Sequence, residues 1–274
     1  MRLTNLIKRL TNYVRLGHRL IRLVTLIIIG LILAFGSRLL LGQRWYLHSS
    51  GMNIVQWWMR SIATVLGLKI DVQGEICARP VLVVSNHISW VDVIAISVAS
   101  HGIFVAKSDV MSWPIIGRLA AMSGTRFIAR ETVSSLRKVL DETTRLLKQG
   151  TRVVIFPEGT STSGSQVMRF SSAVFQAPIT AGAMVQAVTL QYRRNGELDR
   201  LAPFINDDTF VPHLLRLLQA EGIRVSLTFE KPIPAFGHKR QGLAEYTQGQ
   251  IVKRLKYSDQ AVSHGINENI NRVA

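Results

Sequence analysis

The sequence predicts an α/β protein: a mixed central sheet flanked by helices and preceded by an N-terminal helical hairpin. Three observations carry this. Short apolar runs such as Val81-Leu82-Val83-Val84-Ser85 alternate with stretches of helical period, the pattern of a sheet covered on both faces. The chain has 274 residues and is 47% apolar, enough for a sizeable core in one large or two small domains. The first 60 residues hold nine Lys or Arg, interleaved with Leu and Ile, and no acid before Asp71.

That N-terminal segment suits an anionic lipid surface, with nucleic acid as the competing partner. Its strong hydrophobicity favours lipid. Residues 23–37 are uncharged, but as a helix they reach only about 22 Å, short of the roughly 30 Å hydrocarbon core. Extension to Gly42 gives the length and includes Arg38, which must then snorkel. The segment either spans with a tilt or dips into one leaflet as half of a hairpin. Residues 45–66, with Trp57 and Trp58, form the second helix. The hairpin is preferred: the positive charge precedes the apolar run, so a span would put the basic body outside. No small-residue cleavage pattern of a signal peptide follows. The boundary falls near Gly67, giving a membrane-associating arm over 1–67 and an α/β domain over 68–274.

The elements follow in order. Residues 69–73 alternate and read as a strand; 81–85 read as a buried one. A helix over 90–99 leads to a strand over 103–106, and a helix over 108–121 contains Pro114, which starts or kinks it. Residues 134–149 are the clearest amphipathic helix, with Leu136, Val139, Leu140, Leu146 and Leu147 on one face and Gly150 placed as its C-cap. Strands follow over 152–156, 184–191 and 223–229, with a helix over 214–220. From Lys231 the chain is polar. The one cysteine, Cys77, excludes an intramolecular disulfide and fits a reducing compartment.

Three segments carry candidate chemistry, each at a strand or helix boundary. In Asn86-His87-Ile88-Ser89-Trp90-Val91-Asp92, His87 sits at a strand-to-helix junction and Asp92 in the first helical turn, where it can fold back to the imidazole and make it an oriented base. The spacing from Ser89 to Asp92 is also that of a capping box, which needs no catalysis. In Gly124-Thr125-Arg126-Phe127-Ile128-Ala129-Arg130, a short strand exits into cations suited to phosphate, or into two solvated arginines paired with acids. In Phe156-Pro157-Glu158-Gly159-Thr160-Ser161-Thr162-Ser163-Gly164, a strand enters a loop whose amides can line an anion site, or an ordinary polar turn. The G-x-S-x-G, P-loop, G-x-G-x-x-G and H-E-x-x-H patterns are absent. Ser135-Leu136-Arg137-Lys138 fits S-x-x-K by chance, on the amphipathic helix. The other histidines show no metal-ligand spacing.

Together these segments resemble the glycerolipid acyltransferase family. Its motifs run N-H-x-x-x-x-D, G-x-x-F-I-x-R, F-P-E-G-T-R-S and then an apolar segment with proline. Here they stand at 86–92, 124–130, 156–162 and, loosely, Ala177-Pro178-Ile179. The resemblance implies transfer of a fatty acyl group from acyl-CoA or acyl carrier protein to the sn-2 hydroxyl of 1-acylglycerol 3-phosphate (lysophosphatidic acid), making phosphatidic acid in phospholipid biosynthesis. It implies His87 as general base and Asp92 as the group that fixes its tautomer, with direct attack by the acceptor alkoxide. No acyl-enzyme, cofactor or metal is implied. Arg130 with Gly159 and Thr160 would hold the acceptor phosphate, Glu158 would orient it, and Lys107 would add an anion contact. The implied location is the cytoplasmic side of the inner membrane, monotopic or single-pass, with no nucleic-acid partner. Ser161 stands where the family usually has Arg, so a phosphate contact is lost or supplied by Arg130 or Arg169, and Val185-Gln186-Ala187-Val188 lacks the usual proline. Relatives that acylate lyso-ornithine lipid, which has no phosphate, also look like this; Asp207-Asp208-Thr209-Phe210 and Pro212-His213-Leu214 add to that likeness. The remaining alternative is a non-enzymatic membrane or nucleic-acid binding protein.

Overall fold

Val81, Leu82, Val83 and Val84 have no exposed surface, which an alternating strand achieves only when both faces of its sheet are covered. In the computed structural model, which describes residues 2–42, 45–78, 80–107, 111, 116–128 and 133–271, that strand is central. The strands are β1 (Leu68–Gln73), β2 (Val81–Ser85), β3 (Ile103–Lys107), β4 (Arg126–Ile128), β5 (Arg152–Ile155), β6 (Met184–Arg194), β7 (Glu197–Leu198), β8 (Ile223–Phe229) and β9 (Ile233–Pro234). Among the described residues they form one sheet of order β1-β8-β6-β2-β5-β3-β4, with β7 and β9 paired to β6. β2 is parallel to both neighbours, β5 and β6, whereas β6 and β8 are antiparallel, so the sheet is mixed as expected.

The helices are α1 (Arg2–Leu41), α2 (Ser49–Leu66), α3 (Val91–Ala99), α4 (Ile116–Met122), α5 (Val133–Lys148), α6 (Gln176–Ala181), α7 (Phe210–Gln219) and α8 (Arg240–Asn271). One face of the sheet, with Leu82, Val84, Val153, Ile155, Val185 and Ala187, packs on Leu146 and Leu147 of α5, Ala177 of α6, and Leu243, Ile251 and Leu255 of α8. The opposite face, with Val81, Val83, Val154, Val188 and Leu190, packs on Val91, Ala95 and Ile96 of α3 and Leu217 of α7. The odd and even positions of each strand divide cleanly between the two faces, as a period of two requires.

Some elements differ from expectation for identifiable reasons. The helix expected over 214–220 begins at Phe210; Pro212 lies in its first turn, where a missing N–H costs nothing. The polar tail becomes the long helix α8, anchored by a narrow apolar stripe that average polarity conceals. The second arm helix is split: Trp45–Leu47 is a short 3-10 turn and α2 starts at Ser49. Gly150 has φ +76°, the left-handed conformation expected of a C-cap. Pro114 lies outside the described residues, as does half of the helix expected over 108–121; the rest of it includes the start of α4 at Ile116.

α1 and α2 form the hairpin. Trp58 Nε1 donates to the Leu26 carbonyl at 2.7 Å. A Cβ at Gly30 would lie 2.6 Å from that nitrogen, so the glycine lets the indole reach the helix backbone. The hairpin also packs on the body through Leu23, Ile62, Leu66, Ile94 and Leu218. Arg15 donates to the Gln219 carbonyl at 3.0 Å, and Arg19 to those of Leu218 and Ala220 at 3.0 and 2.7 Å. These are the last, otherwise unpaired carbonyls of α7, at the negative end of its dipole.

The other side of α1 exposes Leu10, Tyr13, Val14, Ile21, Val24, Ile28, Ile32, Phe35 and Leu39 at helical spacing. Among the described residues α1 is the one helix long and apolar enough to cross a membrane. Arg19→Ala removes a charged donor from two carbonyls and is expected to cost about 1–3 kcal/mol of stability, read as a lower thermal midpoint in detergent; an unchanged midpoint contradicts the docking.

Candidate active site

β2 ends where a side chain takes over its ladder. Ser85 pairs with Val188 on β6. At the next position the Asn86 carboxamide replaces the backbone: its Nδ2 donates to the Leu190 carbonyl and its Oδ1 accepts the Leu190 N–H, both at 2.8 Å. The amide group mimics a peptide unit, so the strand stops without leaving β6 unpaired and the main chain is free to turn at His87.

The turn brings His87 Nδ1 to 2.7 Å from Asp92 Oδ2. The same oxygen accepts the N–H groups of Ile88 and Ser89, at 2.7 and 3.0 Å. Asp92 Oδ1 accepts the Tyr192 hydroxyl at 2.7 Å. Asp92 is wholly buried in the first turn of α3, a favourable place for a carboxylate. Both the charge-pairing and the capping interpretations of the motif are therefore partly realised. Asp92 bonds the Ser89 N–H as a capping box requires, but the Ser89 hydroxyl has no partner among the described residues, and the reciprocal half is not made there.

Because the carboxylate accepts, Nδ1 carries the proton and Nε2 keeps a lone pair. The ring stacks on Phe156, with centroids 4.2 Å apart, and the side chain is 22% exposed. An imidazole held by one nitrogen and one face, with its second nitrogen without a partner among the described residues, can take a proton from a hydroxyl placed against it. Tyr192 is buried, and its pKa is raised well above the usual value, first by desolvation and then by Asp92, so it stays a neutral donor.

The loop after β5 fastens the same turn from below. β5 runs parallel to β2 and adjacent to it, so both loops leave the carboxyl edge of the sheet side by side. Glu158 Oε1 accepts the His87 N–H and Oε2 the Met168 N–H, both at 2.7 Å. The Thr162 N–H donates to the His87 carbonyl at 2.9 Å. The Thr162 hydroxyl lies between that carbonyl and Gln166 O, at 3.2 and 3.3 Å. Gly164 has φ +81°, and a Cβ there would meet Ile88 at 2.8 Å, so a side chain is barred both by conformation and by space.

Comparison with known proteins agrees with this geometry. A family model described as Acyltransferase matches residues 69–191. A lyso-ornithine lipid O-acyltransferase of Pseudomonas aeruginosa is 36% identical over 199 residues, 73% of this chain and 77% of that protein. The chain belongs to the acyltransferase family. All three motif segments fall within the matched span. A 1-acyl-sn-glycerol-3-phosphate acyltransferase of Neisseria meningitidis serogroup B is 35% identical over 135 residues, 48% of this chain and 53% of that protein. The crystal structure of the 1-acyl-sn-glycerophosphate (LPA) acyltransferase PlsC from Thermotoga maritima shares the fold, with a TM-score of 0.63 over 93% of this chain and 96% of that one, at 20% identity.

Within this acyltransferase the sequence-predicted residues fall into three groups. His87 and Asp92 meet as expected. Glu158 is close to them, and main-chain amides bond both of its oxygens, so it fastens the His87 turn. Gly159 takes φ +82° and Thr160 is exposed in the same loop. Arg130 and the Lys107 side chain lie outside the described residues; the Lys107 backbone ends β3 opposite Ile128. Arg126 is structural, bonded to Glu142 and to the Tyr46 hydroxyl, both at 2.9 Å. Arg169 lines a cavity of about 360 Å³ with Glu158, Ser171 and Gln248. Ala177-Pro178-Ile179 lies in α6, with Ala177 and Pro178 buried. Sequence reasoning missed Tyr192. It lies on β6 one residue beyond the strand expected over 184–191, and its partner is 100 residues away.

Tyr192→Phe leaves Asp92 Oδ1 without its donor and is expected to cost about 1–3 kcal/mol, seen in thermal unfolding, together with reduced turnover. Burial raises the Glu158 pKa above its usual value, against the pull of the Met168 and His87 amides. With the folded value raised, its contribution to stability is full below the unfolded pKa of about 4.3 and is lost as pH rises through the folded value. The stability of Glu158→Gln relative to wild type should therefore improve between pH 4 and 7; a flat difference contradicts the raised pKa.

Proposed function

We propose that this acyltransferase moves a fatty acyl group from a thioester to the hydroxyl of lyso-ornithine lipid at the membrane surface. The observation that carries the chemistry is the 2.7 Å contact between His87 Nδ1 and Asp92, which leaves Nε2 to act. His87 Nε2 removes the acceptor's hydroxyl proton, and Asp92 stabilises the imidazolium that forms. The alkoxide attacks the thioester carbonyl, the tetrahedral adduct collapses, and the leaving sulfur takes the proton from Nε2 and departs as the thiol. The ester is formed, the thioester is broken, and His87 returns to its starting state. The donor is acyl-CoA or acyl carrier protein, a co-substrate and not a resident cofactor.

Two features favour the phosphate-free acceptor over lysophosphatidic acid. The lyso-ornithine lipid relative matches nearly three quarters of this chain, the glycerol-3-phosphate one about half. Ser161, at the position where the family usually carries Arg, has no charge to offer, and its hydroxyl donates to the Phe204 carbonyl. Lysophosphatidic acid remains the second reading, supported by the Neisseria likeness, with Arg130, Lys107 or Arg169 as the phosphate contact.

The arm supplies access to lipid. α1 rests on α2 and α7 through one face and exposes an apolar stripe on the other. A helix held along the body in this way favours insertion into one leaflet over a span. This packing supports a monotopic association with the membrane. Nucleic-acid binding is disfavoured, because Arg15 and Arg19 are engaged on α7.

Purified protein given a labelled acyl thioester should acylate lyso-ornithine lipid in preference to lysophosphatidic acid; product from lysophosphatidic acid alone overturns the acceptor assignment. His87→Ala should lower kcat about 10²–10⁴-fold, and retention of more than about a tenth of wild-type turnover rules out the general-base role.

A further inference from the structure

Residues 199–206, between β7 and α7, form a strap tied to both loops of the site. Asp199 Oδ1 accepts the N–H groups of Leu201 and Ala202 at 2.7 and 2.8 Å, while Oδ2 accepts Arg194 Nε at 2.6 Å. The Phe204 N–H donates to the Ile88 carbonyl at 2.9 Å, beside His87. The Phe204 carbonyl accepts the Ser161 hydroxyl, from the loop after β5. Between these ties, the Pro203 carbonyl lies 3.1 Å from His213 Nε2.

His213 is wholly buried in α7. Its Nδ1 lies 3.0 Å from Trp90 Nε1, and an indole nitrogen can only donate. Nδ1 is therefore the acceptor, and Nε2 carries the proton given to Pro203. The ring is a neutral connector whose two bonds run in opposite directions. Trp90 and Phe204 meet it edge-on, at 5.9 and 5.2 Å between centroids. Desolvation, followed by the nearby Arg216, depresses its pKa, in keeping with the neutral form. Trp90 is the residue from which α3 starts, two positions before Asp92.

We propose that His213 is a positioning residue for acyl transfer: by joining Trp90 to Pro203 it locks the 199–206 strap against the His87 and Ser161 loops, and so fixes where the acceptor lipid meets His87. This rests on the assignment of His87 as the base. The bonds separate by substitution. His213→Gln keeps a donor near the Nε2 position for Pro203, and His213→Asn keeps an acceptor near the Nδ1 position for Trp90. If the strap is what matters, the first restores function and the second does not.

The test is steady-state kinetics of the full chain in mixed micelles, with a labelled acyl thioester and lyso-ornithine lipid, alongside thermal unfolding. Misplacement by about 1 Å can cost about 10²-fold, so His213→Ala should lower kcat/KM for the acceptor by at least about 10-fold with the KM of the thioester little changed. His213→Gln should recover most of that loss and His213→Asn little of it. Trp90→Phe, which keeps the ring and removes the donor, tests the other bond gently and should raise the acceptor KM without abolishing folding. Equal changes for both substrates, or equal behaviour of the Gln and Asn variants, overturns the proposal in favour of a purely structural histidine. Loss of turnover in His87→Ala with wild-type kinetics in the His213 variants sinks the strap alone. The reverse pattern sinks the base, and with it the proposal that the strap places the acceptor against His87.

Discussion

Four donors converge on the buried carboxylate of Asp92: an imidazole N–H, two main-chain amides and a phenol. A buried acidic group lacking such partners would cost several kcal/mol, so their presence is a condition of the fold as much as of the chemistry. The two amides force the chain from Ile88 to Ser89 to wrap around the carboxylate. The phenol ties α3 to β6. The imidazole is the fourth donor, and it is oriented because the carboxylate it meets is itself fixed by the other three. Orientation of the reacting ring is thus a by-product of satisfying a carboxyl group in the dark interior.

The sheet supplies the setting. β2 lies between two parallel neighbours, and its carboxyl end is the place where the loops after β2 and β5 leave together. Asn86 ends the strand without orphaning β6, Phe156 backs the imidazole, and Glu158 and Thr162 hold the His87 main chain at its N–H and its carbonyl. Asp92, Phe156, Glu158 and Thr162 all bear on His87, as expected where a small misplacement of a reacting group is costly.

Much of this was legible in the sequence because it is local. The buried strands β2 and β8 showed as apolar or alternating runs, and the five-residue step from His87 to Asp92 is short enough for one turn to close. What was hidden depends on long separations. Tyr192 meets Asp92 across 100 residues, and no period in either segment announces the pairing. Glu158 bonds the His87 amide across 71 residues, and no local pattern announces that tie. α8 was concealed by its own composition, since a handful of buried residues suffices to seat a helix whose remaining positions are polar. The arginines of the arm read as a lipid- or nucleic-acid-facing charge, yet two of them close off the end of α7. The second motif shows the limit from the other side: Arg126 proved structural, and Arg130 lies outside the described residues.

α1 is apolar on both flanks. One flank covers Trp58, Ile62, Leu66 and Leu218, and the other shows Ile21, Ile28 and Phe35 to the surroundings. The same helix is the floor of the protein on one side and an open apolar surface on the other. Cutting it away to obtain a water-soluble enzyme would trade one greasy surface for another and strip the end of α7 of its cations. Body and arm are in that sense inseparable: α1 is seated along the helices it covers, and its arginines close the end of α7.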